Sequence, residues 1–266
     1  MKRPCFTLIE LLVVIAIIAL LMAVLVPSLQ NSRRQAKAVL CSSNIKQLVI
    51  GLMMYENENE TLPYAFDRPP HNSPPPGRYP GYAQYDRMGW WWFNHIPGCF
   101  SKDGKEKTVL WCPSRKLKGH RLEDNVLCGN YGVNQSICKS SSGIIDHPEF
   151  IGTPLRTGNI PHPGQTLLLV DSGYSMITWW HATNVPPVKL GKTREETAYI
   201  PGLCINKEKD LWLGEEQDAI NGRHLQKTVN VGFVDGNVSR VKADDLFVEK
   251  TDNDYKNLYP LWLPKK

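Results

Sequence analysis

The feature that most limits what this chain can fold into lies at its start. From Leu11 to Val26, sixteen apolar residues run without a break, and extending back to Phe6 adds only Thr7 and Glu10 as interruptions. A bilayer core takes about twenty helical residues to cross, so residues 6–26 read as a transmembrane helix. A secretory signal has an apolar core of about 7–15 residues that ends at small residues. Here the run is longer, and Val24-Leu25-Val26-Pro27 is a poor small-residue cleavage site. A buried helix of a soluble protein rarely sits so near the start of a chain. Lys2 and Arg3 precede the run while Arg33, Arg34 and Lys37 follow it, so the positive-inside count does not set the orientation.

Glu10 is the anomaly in this segment. A carboxylate within a span is costly and usually functional, and the span itself offers no cation. A cut between Cys5 and Phe6 creates one, because a free α-amine has a pKa near 7.7–8 and is mostly cationic at neutral pH. Glu10 of one subunit then pairs with the Phe6 amine of its neighbour, a pairing that sets register more surely than it adds stability. The plain alternative is a Glu that snorkels to the headgroups from near the end of the span.

The run Pro4-Cys5-Phe6-Thr7-Leu8-Ile9-Glu10-Leu11-Leu12-Val13-Val14-Ile15 resembles the processing site and helix start of type IV prepilins and type II secretion pseudopilins. The likeness continues through Pro27 to Asn44-Ile45-Lys46-Gln47-Leu48 and covers about the first sixty residues. It implies a leader over residues 1–5, removed by a membrane aspartyl peptidase, and N-methylation of the new terminus at Phe6. The residue before the cut is usually Gly in that family and is Cys5 here. The resemblance further implies a single-pass inner-membrane protein with an exported head. Its partners are then the prepilin peptidase, an assembly platform and other pilin-like subunits.

Beyond Pro27 the helix is expected to continue, since proline can kink a long helix without ending it. Cys41, Ile45, Leu48, Leu52 and Tyr55 recur at spacings of four, three, four and three, which is one face of an amphipathic helix. The pattern predicts one helix over 6–57 and a globular head over 58–266. Residues 59–105 are rich in Pro and Gly, and Ser73-Pro74-Pro75-Pro76-Gly77 can be neither helix nor central strand. Trp90-Trp91-Trp92-Phe93 lies in this excursion. Strands are expected at Thr108–Trp111, Tyr131–Asn134 and Thr166–Val170. Val229, Val231 and Phe233 alternate with Asn230 and Gly232 before Asp235-Gly236 and Val238–Val241, a two-residue hairpin signal.

The head carries a second likeness. Cys112-Pro113, Asn130-Tyr131-Gly132, Leu169-Val170-Asp171-Ser172 and His224 through Asp235-Gly236 resemble a bacterial group of prepilin-type proteins with a terminal His, nine residues, then Asp-Gly. Ten residues separate His224 from Asp235 here. This likeness implies a β-rich head on a pilin stem. The fold class expected is α+β: a long N-terminal helix packed on a mostly antiparallel sheet with long loops.

Seven cysteines occur. Removal of Cys5 with the leader leaves an even number in an exported domain, which fits disulfides. Six cysteines allow fifteen pairings. Cys41–Cys112 is the first choice, because Cys41 lies on the head-facing stripe and Cys112 ends an apolar run, and Cys128–Cys138 is the second. Structural zinc usually shows close Cys-x2-4-Cys pairs, and none exists, so no metal site is expected. His224 and Asp235 lack an evident nucleophile and read as a structural His and a turn Asp near the hairpin. Calcium needs several oxygen ligands, which Asp235, Asn237, Asp244 and Asp245 would supply, but no EF-hand spacing is present. The formal charge of +5 gives no large basic field for nucleic acid.

Trp90, Trp91 and Trp92 read either as a plug for the head's own core or as aromatic anchors for a ligand. The function expected is therefore structural: assembly into a membrane-anchored filament or secretion pseudopilus, with no catalytic residues. The alternatives are a pilin-anchored binding module for a polysaccharide or another extracellular ligand, and an anchored hydrolase using His224 and Asp235.

Overall fold

The computed structural model describes residues 7–67, 90–96, 108–115, 126–127, 129–141, 148–182, 223–251 and 254–265. One helix, α1, spans Leu8–Asn59. At 1.5 Å per residue its 52 residues extend about 78 Å. Thr7 caps its start, and Glu60 ends it in the left-handed region with its N–H donating to Glu56 O. Pro27 lies inside the helix; lacking an N–H, it leaves the Ala23 carbonyl without its intrahelical donor.

The two halves of α1 differ in what they touch. From Thr7 to Lys37 every residue is exposed, including Leu8, Ile9, Leu20, Val24 and Leu25. This is the one helix among the described residues that is long and apolar enough to cross a membrane. From Ala38 onward one face is buried through Cys41, Ile45, Leu48, Val49, Gly51 and Leu52. Tyr55, expected on this stripe, is only half-buried.

The head is built on a five-stranded sheet. Its strands are β3 (Tyr131–Asn134), β4 (Leu167–Asp171), β5 (Met176–Ile177), β6 (Thr228–Phe233) and β7 (Val238–Lys242), in the order β5-β3-β4-β6-β7. All neighbouring pairs are antiparallel except β3–β5. Two short two-stranded ladders flank it: β1 (Phe66–Asp67) with β2 (Trp90–Trp91), and β8 (Glu249–Lys250) with β9 (Tyr255–Lys256). The architecture is α+β with a mixed, largely antiparallel sheet. Thr108–Trp111 is a turn rather than the expected strand. Its Cys112 N–H donates to the Asn130 side chain instead of to a ladder.

Strand β6 explains how helix and sheet fit. Val229 and Val231 point into a cluster with Leu167, Val170, Leu246, Val248 and Trp262. The alternate residues Asn230 and Gly232 face α1: Asn230 donates to Ala38 O at 3.2 Å, and a Cβ on Gly232 would meet Val49 Cγ2 at 2.6 Å and Ile45 Cγ2 at 2.9 Å. Alternation of this kind ordinarily marks a strand with one wet face. Here the polar face is covered by the stem, and the missing side chain at Gly232 is what lets the helix close on the sheet.

The β6–β7 hairpin occurs where Asp-Gly marks it, but its turn is longer than two residues. Gly232 pairs with Val238, Phe233 N–H donates to Asn237 O, and Gly236 N–H donates to Phe233 O. Gly236 has φ +89°, a left-handed conformation that suits glycine.

Replacing Gly232 by Val should strain the stem–sheet contact by about 1–3 kcal/mol, the usual cost of overpacking a filled core. Urea unfolding of the head followed by tryptophan fluorescence should show a lowered midpoint, and an unchanged midpoint would show that the helix does not seat here.

Candidate functional site

Four segments bring Cys41, Cys112, Asp171 and His224 together beneath the stem. Cys41 comes from the buried face of α1, Cys112 from the turn after Trp111, Asp171 from the end of β4, and His224 from the bridge residue that leads into β6. One donor atom from each lies within 4.8 Å of all the others, and all four residues are buried. The Cys41 thiol donates to Asp171 Oδ1 at 2.9 Å. Cys112 Sγ lies 3.4 Å from Cys41 Sγ, and both are free thiols. His224 Nε2 is 2.9 Å from Asp171 Oδ2.

A second layer holds these groups. Arg223 Nη1 sits 3.6 Å from Asp171 Oδ1, and the guanidinium donates to Asn130 O at 2.6 Å and to Ser172 O at 2.9 Å. The Asn230 backbone N–H donates to Asp171 Oδ2 at 2.8 Å. Burial alone would raise the Asp171 carboxyl. The bond and charge of His224, the charge of Arg223 and the Asn230 N–H outweigh it and hold the carboxyl below its ordinary range. His224 Nε2 also lies 2.9 Å from Asn230 Nδ2. His224 Nδ1 is buried without a hydrogen-bond partner among the described residues.

The thiols are driven apart in acidity. Burial, the contact with Cys112 and the negative Asp171 push the Cys41 thiol well up. Burial also raises Cys112, but its bond to Cys41 and the charges of Arg223 and His224 bring it below the usual thiol value. Burial followed by the same sulfur and carboxylate groups raises the Tyr131 hydroxyl. Chemically, the cluster can oxidise to a Cys41–Cys112 disulfide or release two thiol protons and hold a soft or borderline cation.

The other residues singled out in the sequence fall elsewhere. Cys5, Phe6 and Cys128 lie outside the described residues. Cys138 is a free, fully buried thiol, which burial and, secondarily, Glu56 push far up in pKa. Asp235 does not meet His224: its carboxylate accepts from Asn237 N at 2.9 Å and Asn237 Nδ2 at 2.6 Å, while the carboxylate partner of His224 is Asp171. A His224–Asp235 hydrolase pair is therefore not formed. Nor, among the described residues, does Asp235 gather with Asp244 and Asp245 into a cation-sized group. Between His224 and β6, Gln226 and Lys227 both have positive φ, and His224 N–H reaches Thr228 O at 2.9 Å.

Trp91 and Trp92 are in the core, with relative exposures of 0% and 1%. Trp91 packs on Phe66, Phe93 and Tyr174, and Trp92 Nε1 donates to Ser175 O at 2.8 Å. Neither presents a ring face to a sugar, which corrects their reading as ligand anchors; Trp90 is half-buried beside His95.

Glu10 has a local role that its charge alone does not reveal. It completes a capping box, with Thr7 N–H and Thr7 Oγ1 both donating to Oε2 at 2.9 and 2.8 Å, and Glu10 N–H donating back to Thr7 Oγ1 at 3.3 Å. The Thr-x-x-Glu spacing is its sequence signature. Asp171 and Arg223 sit at the centre of the cluster, although no role for either was read from the sequence. The signal available was a charged residue ending an otherwise apolar strand, Leu167-Leu168-Leu169-Val170-Asp171, where an unpaired carboxylate is not tolerated.

Comparison with known protein families, with curated proteins and with solved structures finds no match to this chain.

Removing the Trp91 ring by Trp91→Ala should cost about 3–5 kcal/mol, as for buried aromatics generally. Chemical denaturation of the purified protein should show it, and wild-type stability would place the ring outside the core.

Proposed function

We propose that this chain is a pilin-like subunit whose N-terminal helix anchors it in a membrane and then packs into a filament or secretion pseudopilus. The observation that carries this reading is the division of α1. From Leu8 to Val26 it exposes an apolar surface broken only by Glu10, while its second half is fixed to the head by the buried stripe and by polar contacts. Lys46 Nζ donates to Gly236 O at 2.7 Å, and Glu56 Oε1 accepts from Thr157 N at 2.6 Å. Exposed apolar area on this scale needs lipid or other helices to cover it. A rigid stem continuous with the head suits a subunit that moves from bilayer to filament without refolding.

In this reading the partners are a prepilin peptidase, an assembly platform and other pilin-like subunits, and the chain performs no catalysis. The peptidase cuts between Cys5 and Phe6, and the resulting amine of one subunit pairs with Glu10 of the next. The capping box occupies Oε2 of Glu10, so Oε1 is the oxygen that meets the incoming amine.

Mass spectrometry of the native N-terminus should find a chain beginning at Phe6 and N-methylated. An intact Met1, or a start beyond Pro27, would reject pilin processing.

Two substitutions separate the cap from the charge. Gln retains capping-box geometry but not the carboxylate, whereas Leu removes both. If the charge guides assembly, Glu10→Gln and Glu10→Leu should both insert, be cut after Cys5 and give a sharply reduced yield of subunit–subunit crosslinks at matched membrane levels. Wild-type crosslinking in Glu10→Gln would reduce Glu10 to a helix cap.

A further inference from the structure

We propose that Cys41, Cys112, Asp171 and His224 form a structural zinc site that fastens the stem helix to the head. This assignment is independent of what the stem does. Close Cys-x2-4-Cys spacing is absent from the sequence, yet the fold assembles a four-donor set from four separate segments. Zinc bonds of about 2.3 Å to sulfur and 2.0–2.2 Å to nitrogen and oxygen place tetrahedral donors about 3.3–3.8 Å apart. The two sulfurs already stand 3.4 Å apart; the 2.9 Å contacts of Asp171 Oδ1 with Cys41 and of Oδ2 with His224 would open by about 0.4–0.7 Å, and the wider separations, all within 4.8 Å, would close on the ion.

Charge fits the same ion. Two thiolates, one carboxylate and Zn²⁺ sum to a single negative charge, which the buried Arg223 guanidinium beside Asp171 neutralises. His224 presents Nε2 to the cluster, and that nitrogen is the donor a cation would take. The ordered carbonyls and N–H groups around Arg223 and Asp171 are the outer partners that a metal site requires. A disulfide uses none of this. Beside an apolar S–S bond, a buried Asp, His and Arg would be desolvated for no gain. Two sulfurs, one nitrogen and one oxygen select zinc over calcium or magnesium. A closed, fully buried set of four protein ligands marks a structural ion rather than a catalytic one.

The test uses the full-length protein in detergent, purified without chelator and with thiols kept reduced. Elemental analysis should find about one zinc per chain, as a four-ligand site requires. Cobalt exchanged for zinc should give the visible bands of a tetrahedral ion together with sulfur-to-cobalt charge transfer in the near ultraviolet. Zinc should be lost from Cys112→Ser and Asp171→Asn but retained by Cys138→Ser, whose thiol is buried outside the cluster. A site variant that failed to fold would also lose zinc, so the wild-type cobalt spectrum is read first and stands alone. The proposal is overturned if reduced wild-type protein neither carries zinc nor takes up cobalt with a thiolate spectrum. It is equally overturned if peptide mapping of the native protein finds Cys41 joined to Cys112, or if Cys112→Ser leaves the cobalt spectrum unchanged.

Discussion

The contact between the second half of α1 and strand β6 is the constraint on which the rest of the structure rests. It closes because Gly232 has no side chain to hold Ile45 and Val49 away, and Asn230 adds a hydrogen bond from the sheet to the Ala38 carbonyl. Burial of Cys41, Ile45, Leu48 and Leu52 supplies the apolar driving force, which is non-directional. The polar contacts and the glycine choose the register at which it is used. From Thr7 to Lys37 the helix is exposed in the single chain.

That same contact creates the buried cluster. Cys41 is carried to Asp171 only when the helix is seated, and His224 and Asn230 are carried there by the start of β6. Arg223 answers the carboxylate within the cluster, so a charge is tolerated at a place where an unpaired one would not be. The site therefore records whether stem and head are correctly docked. A bond or an ion formed there would lock that arrangement across most of the chain.

Much of this was legible in the residues. The four-three-four spacing of Cys41, Ile45, Leu48 and Leu52 located the buried face of the helix, and Asp235-Gly236 located the hairpin. Where local pattern and long-range contact disagree, the residues mislead or leave alternatives open. Thr108–Trp111 has the composition of a strand, but Cys112 is held by the Asn130 side chain in a turn. Trp91 and Trp92 sit amid Pro-rich loop sequence, yet they fill the core against Phe66, Phe93 and Tyr174. His224 has a carboxylate eleven residues away in sequence and takes another fifty-three residues away instead.

What the sequence by itself determined is what depends on near neighbours: an apolar helix long enough for a bilayer, its amphipathic continuation, its capping box at Thr7 and Glu10, and alternating strands around a glycine turn. These follow from periodicity and composition, which act over a few residues. The tertiary structure alone decided that the polar face of β6 is covered by the stem, that the tryptophans are interior, and that Cys41, Cys112, Asp171 and His224 share one buried cluster. Those outcomes depend on which distant segments meet, and the energy that selects them is spread over the whole interface rather than written in any short stretch of chain.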